Sequence, residues 1–190
     1  MTAHSPVVIG FDFSASGEAA LTRAVAIAAR APHHVLHVAC VVDPRSPIPH
    51  IPSYHGVDAS YAARVQEALA AEVHDELERQ GVTTAIDFFV HARIGKAAPE
   101  LLALAREVGA DLIVVGSHGL TGIERFVVGS VSARVVREAG CTVEVARAKQ
   151  YADKELPDPA VLDEHRFVPP HRYQYADHRV LLRPTDWPLS

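Results

Sequence analysis

The stretch Asp111-Leu112-Ile113-Val114-Val115-Gly116-Ser117-His118-Gly119 decides the fold. Leu112 to Val115 are bulky, uncharged and mostly β-branched, which makes this the strongest strand in the chain. A run of this kind, with no polar alternation, suits a strand covered on both faces. Gly109 stands just before it as a stop signal for a preceding helix. Glycine returns at its far end, as Gly116 and Gly119.

Working back from this strand, Gly95 to Glu107 reads as a helix, with Leu101, Leu102, Leu104, Ala105 and Val108 on its inner side. Thr83 to Val90 reads as a strand before it. From Asp58 to Gln80 the apolar positions Tyr61, Val65, Leu69, Val73 and Leu77 recur at steps of four, and Gly81 closes that helix. Between 44 and 56 the prolines Pro44, Pro47, Pro49 and Pro52 exclude helix and central strand, leaving an irregular loop. Val35 to Val42 is a second apolar strand. At the start, Val7 to Phe11 is a first strand, followed by Ser14 and Ser16 as N-cap candidates and a helix over Gly17–Ala31.

Working forward, residues 116–128 begin as a loop, with helical character at Ile123 to Val128. Ser130 to Ala139 is a short helix ended by Gly140, and Thr142 to Arg147 a last strand. Strands and helices thus alternate, which implies an α/β fold: an open, doubly wound parallel five-stranded sheet with helices on both faces. Ligands of such sheets bind beyond the C-terminal strand ends, where strand order reverses. With strands one and four as central neighbours, that crevice lies between Asp12 and Gly116.

Composition narrows the function. The 190 residues are 48% apolar, enough for one well-buried core. A net charge of −5 and a pI near 6.2 argue against a nucleic-acid binder. No apolar run reaches the roughly 18–20 residues that span a bilayer. The N-terminus lacks the basic start and cleavage site of a secretion signal, and two cysteines do not make a disulfide framework. A cytoplasmic protein is expected. Residues 1–148 form the predicted domain, and 149–190, rich in proline, a C-terminal extension. Within that extension Val180 to Leu182 and Trp187 offer docking residues. Arg166, Arg172, Arg179 and Arg183 fit an anion contact and a solvated tail equally well.

The chemistry concentrates in Gly116-Ser117-His118-Gly119, nine intervening residues, and Gly129-Ser130. Glycines permit positive φ and let backbone N–H groups approach an anion. A helix start adds unpaired donors and the positive end of a dipole, and Ser130 adds a hydroxyl. The glycines alone fit a phosphate cradle and an ordinary strand exit with a helix cap equally well. Neither Gly-x-Gly-x-x-Gly nor Gly-x-x-x-x-Gly-Lys-Ser/Thr occurs, which sets aside the common dinucleotide and P-loop folds.

The spacing Gly-x2-Gly-x9-Gly-Ser, after IVVG and before a helix, resembles the ATP-binding form of the universal stress protein family. VVIGFDFSASGEAAL, LHVACVVDP and ARIGKAAPELLALAREVGADLIVVGSHGLTG resemble that family's first strand and helix start, second strand, and third helix with fourth strand. The likeness covers roughly residues 5–148. It implies a Rossmann-like sheet of the adenine nucleotide alpha hydrolase-like kind, in strand order 3-2-1-4-5. It implies Asp12 at the ribose or the metal-phosphate region, Val38 against adenine, Gly116 by the ribose, and Gly119, Gly129, Ser130 and Val131 along the phosphates. Gly10, Phe11, Val115, Ser117 and His118 complete the implied nucleotide-binding set. ATP with Mg²⁺ is the implied ligand, and a homodimer through the last strand, Thr142 to Arg147, the implied assembly. The sequence departs from the family at Thr142, where proline is usual, and at Glu144, which interrupts an apolar run.

Other residues carry blander readings. Asp12 could cap the following helix, and His118 could be an exposed loop residue. In that strand order Cys40 and Cys141 lie three strands apart, about 14 Å, too far for a disulfide. The groups His33-His34-His37 and His165, His171, His178 lack the tight pairing of structural zinc sites, and read as surface histidines. No catalytic residue and no dedicated metal site are assigned. The expected function is an ATP-binding stress or signalling module, with at most slow hydrolysis. A nucleotide-free interaction module and a hydrolase with His118 or Asp12 active are the alternatives.

Overall fold

The structure, a computed structural model, describes residues 4–31, 33–49, 51–119 and 129–148, and the backbone of 173–176 and 179–182. The helical character expected at 123–128, and the roles expected for His165, His171, His178, Arg166, Arg172, Arg183 and Trp187, lie outside the described residues. Elements follow in the order β1 (Ser5–Gly10), α1 (Ala15–Ala28), β2 (His34–Val42), α2 (Ala59–Arg79), β3 (Asp87–Ile94), α3 (Ala97–Val108), β4 (Leu112–Gly116), α4 (Ser130–Glu138) and β5 (Thr142–Ala146). The five strands form one sheet, β3-β2-β1-β4-β5, with every neighbour parallel. This is the expected doubly wound sheet.

Period-two alternation builds two cores from these strands. Val7, Ile9, Leu36, Val38, Cys40 and Val114 face α1 and α2, where Leu21, Val25, Tyr61, Val65 and Leu69 cover them. Val8, Ala39, Ile113 and Val115 face α3 and α4, under Leu101, Leu102, Leu104 and Val135. β1 and β4 are bulky on both sides because they lie inside the sheet with a core above and below.

Local chemistry sets the helix ends. Ser14, not Ser16, caps α1: its hydroxyl accepts from the Gly17 N–H at 3.1 Å. Asp58 caps α2 by accepting from the Tyr61 N–H at 2.8 Å. Gly109 ends α3 in the left-handed region, at φ 64° and ψ 47°, as a C-terminal glycine should. The proline-rich loop is tied down rather than loose, since Ile48 and Ile51 are buried and the Ile48 N–H donates to the Tyr61 hydroxyl at 2.7 Å. Glu76, fully buried in α2, is held by Arg79 and Gln80, while the Gln80 side chain donates to the Thr22 carbonyl of α1 at 2.8 Å.

The largest correction concerns β3, expected at 83–90 and found at Asp87–Ile94. His91 and Arg93 broke the apolar run, yet an edge strand needs an apolar inner face only. Phe88, Val90 and Ala92 provide one, and pairing with β2 continues to Val42↔Ile94. β1 also ends at Gly10, leaving Phe11 in the connection to α1. The chain divides into two compact units, Met1–Ala148 and Lys149–Ser190. In the second, β6 (Tyr173–Ala176) and β7 (Arg179–Leu182) pair as an antiparallel hairpin that the proline content concealed. Among the described residues, no helix is long and apolar enough to cross a membrane.

Candidate functional site

A crevice opens at the C-terminal ends of β1 and β4, the two central strands, and is partly open to solvent. Its floor is Gly10, Val115 and Gly116. One side is apolar, formed by Ala39 and Val41 of β2 with Ala97 and Leu101 of α3. The opposite side is polar, formed by Asp12, His118, Gly119 and the start of α4 at Gly129, Ser130, Val131 and Ser132.

The turn between β1 and α1 aims Asp12. Phe13 takes φ 59°, a left-handed conformation costing a bulky residue roughly 1–3 kcal/mol. Its ring meets Phe11 edge to face with centroids 5.0 Å apart. The Asp12 carboxylate accepts from the Ser14 N–H at 3.1 Å and the Ser14 hydroxyl at 2.5 Å, both through Oδ1. Oδ2 accepts no hydrogen bond among the described residues and lies toward Gly119, where a Cβ would stand 3.0 Å from it. Helix capping and carboxylate placement are therefore one device: Ser14 caps α1 and orients Asp12.

The glycines serve space rather than unusual φ. None of Gly116, Gly119 or Gly129 has positive φ, contrary to the sequence expectation. A Cβ on Gly116 would meet the Ser16 carbonyl oxygen at 2.5 Å and its carbon at 2.6 Å, so β4 ends directly under the first turn of α1. Gly129 lies under the exit of β4, where its N–H donates to the Ser117 carbonyl at 2.8 Å. Among the described residues no side chain caps α4 at Gly129. The Ser132 hydroxyl donates to the Gly129 carbonyl at 3.0 Å, bracing that start from below.

His118 is half-buried rather than an exposed loop residue. Its Nδ1 lies 2.9 Å from the Ser117 hydroxyl, while Nε2 is buried without a partner among the described residues. A buried polar atom left unpaired costs about 1–3 kcal/mol.

Of the twelve residues implied by the resemblance, the crevice collects Gly10, Phe11, Asp12, Val115, Gly116, His118, Gly119, Gly129, Ser130 and Val131. Two do not line it. Ser117 is buried beneath the loop, its N–H donating to the Ala146 carbonyl at 3.0 Å. Val38 is fully buried on the opposite face, against α1 and α2. The strand pleat explains this: with the Val38 side chain facing one core, Ala39 and Val41 face the other. Ala39, Val41, Ala97, Leu101, Gly17 and Ser132 were missed. A readable signal existed for Ala39, since it is the one small side chain in a bulky strand and marks where room is left.

The two cysteines are free, as expected. Burial, reinforced by the nearby Asp12 charge, pushes the Cys40 thiol up to about 12. Burial and then Asp111 also raise Cys141, which is only half-buried.

Residues 4–147 match the sequence model of the Universal stress protein family. A relative from Staphylococcus haemolyticus, named as a universal stress protein, is 31% identical over 182 residues, covering 93% of this chain and all of its own. One from Staphylococcus epidermidis is 32% identical over 183 residues, with the same coverage. Among solved structures, the universal stress protein UspA from Lactobacillus plantarum is 28% identical, covers 76% of this chain and 98% of its own, and superposes with a TM-score of 0.54. A universal stress protein crystallised in complex with cAMP is 29% identical, covers 76% of this chain and 97% of its own, and superposes with a TM-score of 0.52. A family match over nearly all of the first compact unit, with relatives about a third identical along almost the whole chain, means that the chain belongs to the universal stress protein family.

Proposed function

We propose that the crevice binds ATP and that the bound state, rather than its turnover, is the protein's output in stress signalling. The observation that carries this reading is the division of the crevice into an apolar and a donor-rich half. Ala39, Val41, Ala97 and Leu101 suit the face of a purine base. Asp12 suits a ribose hydroxyl, and the uncapped start of α4 with Gly119, Gly129, Ser130 and Val131 suits the phosphates. The cAMP-bound relative supports an adenine nucleotide as the ligand class. Mg²⁺ fits the same arrangement, because it is held largely by phosphate and water oxygens and Asp12 Oδ2 faces that side.

Calorimetric titration with ATP, AMP and cAMP tests the reading. ATP is expected to bind at least about tenfold, or 1.4 kcal/mol, more tightly than AMP, through the added phosphate contacts at α4. Equal affinities would remove the phosphate half of the assignment. If no adenine nucleotide binds at millimolar concentration, and none accompanies the gently purified protein in mass spectrometry, the interaction-module reading takes its place.

The chain also pairs with a second copy through β5 in this reading. β5 is an edge strand, and Val131 and Val136 of the adjoining α4 are 37% and 53% exposed. Glu144 does not obstruct the edge, because its carboxylate turns to Arg23 of α1 at 2.5 Å. Sedimentation should give twice the 20.5 kDa chain mass; a monomer at tens of micromolar would refute the pairing.

A further inference from the structure

Next to the strand that forms the apolar half of the crevice, two imidazoles meet end to end. His37 Nδ1 of β2 and His91 Nε2 of β3 stand 3.1 Å apart, with ring centroids 5.3 Å apart. One ring nitrogen therefore donates its proton to the lone pair of the other. Phe89 stacks on His37 with centroids 5.1 Å apart and planes at 16°, which holds that ring in line with its partner. Both histidines are half-buried. The contact runs diagonally across the strand pair, because His37 lies opposite Phe89 and His91 opposite Ala39.

We infer that this hydrogen bond is a pH-sensitive latch, which ties edge strand β3 to the wall of the crevice and opens when both rings are protonated. The proton count carries the inference. Two neutral imidazoles bring one N–H and one lone pair to the contact. One extra proton leaves that bond intact, since the accepting nitrogen is still bare. A second extra proton puts hydrogen on every ring nitrogen, so two N–H groups and two positive charges face each other. The rings must then part, and the strain falls on the strands that carry them. Ala39, opposite His91, and Val41, opposite Arg93, both line the crevice. The latch thus secures β2 at the positions that form the apolar wall.

The neighbouring charges set the direction of the response. Arg93, on the same face of β3, donates to Glu107 and, at 3.4 Å, to Glu100 of α3. Asp87 lies further along that face, opposite Val35, and on β1 the residue opposite His37 is the apolar Val8. Burial holds both imidazoles below the ordinary value of 6.5. His37 and Arg93 lower His91 further, against Glu107, which raises it. The folded state therefore resists protonation of the pair more than the unfolded chain does. The stability it contributes is complete above pH 6.5 and is lost as the pH falls below that value.

Thermal unfolding of the nucleotide-free chain tests the latch by itself. From about pH 7 to about pH 5, the wild-type midpoint should fall by roughly 2–4 °C per pH unit more than that of His91→Gln, the effect of one additional proton taken up on unfolding. The glutamine carbonyl can accept from His37 whatever the charge of that ring, so the variant keeps a contact without the repulsion. Nitrogen NMR of the wild type needs no variant: the two rings should titrate below the ordinary value and as a coupled pair. The link to the crevice rests on the ATP reading. On that reading, the ATP dissociation constant should rise about threefold to tenfold more in the wild type than in His91→Gln over the same interval. His118 and the phosphates of ATP are common to both measurements and cancel. Equal changes in the two proteins would overturn the link, whereas failure of ATP to bind either protein at about pH 7 would count against the ATP reading alone. Parallel melting profiles for the wild type and folded His91→Gln, or rings that titrate independently at the ordinary value, would overturn the latch.

Discussion

Replacing Gly129 by valine and Ser130 by alanine together is expected to weaken ATP binding by about 100-fold or more. Three effects add at one point. A Cβ on Gly129 would stand 3.2 Å from the Ser117 carbonyl oxygen and 3.4 Å from His118 Cα, so the loop must move away from α4. Valine is a poor N-cap where glycine is tolerated, at a cost of about 1 kcal/mol in the helix start. Losing the Ser130 hydroxyl removes a hydrogen bond to a charged partner, about 1.5–3 kcal/mol. Their sum corresponds to roughly two decades or more in affinity. Calorimetry on both proteins measures it, with Ser130→Ala alone separating the hydroxyl from the backbone displacement. Undiminished ATP binding by the folded double variant would dispose of the phosphate assignment.

Gly116→Val is expected to act on the fold before the ligand. Its Cβ would fall 2.5 Å from backbone oxygen in the first turn of α1, and backbone cannot rotate aside as a side chain can. Overpacking typically costs 1–3 kcal/mol and here should reach at least about 3 kcal/mol. For a domain of this size that lowers the midpoint of thermal unfolding by roughly 10 °C. Gly119→Ala is the internal contrast, because its Cβ meets only the Asp12 carboxylate at 3.0 Å. A melting curve should separate the two. If Gly116→Val melts with the wild type, α1 does not rest on β4 as described.

These variants also show how far the sequence could be read. Leu112 to Val115 and the alternation of strand with helix sufficed for the parallel sheet, because buried strands declare themselves by composition, while its order came from the resemblance. The crevice followed from Asp12 and the glycines by position. What the glycines do there was not legible: at Gly116 the constraint is the close approach of α1, a tertiary contact absent from any local window. The face taken by the Val38 side chain was hidden for a related reason. In a strand apolar on both sides, hydrophobicity does not say which face a residue takes, and only packing with Val7 and Ile9 in one core settles it. His91 and Arg93 hid the end of β3 because edge strands tolerate charge. The His37 and His91 contact was invisible, being 54 residues apart in the chain.

The two thiols give the molecule a built-in selectivity. With the Cys40 thiol pushed up to about 12, its thiolate is suppressed at neutral pH. It is also fully enclosed between the sheet and its helices. Cys141, half-buried at the entrance to β5, is therefore the addressable one of the pair. A maleimide dye added to the unmodified protein would settle at a single position, directly beside the strand edge proposed to join two copies. Energy transfer between two such labels would report assembly in the native sequence, without an engineered cysteine.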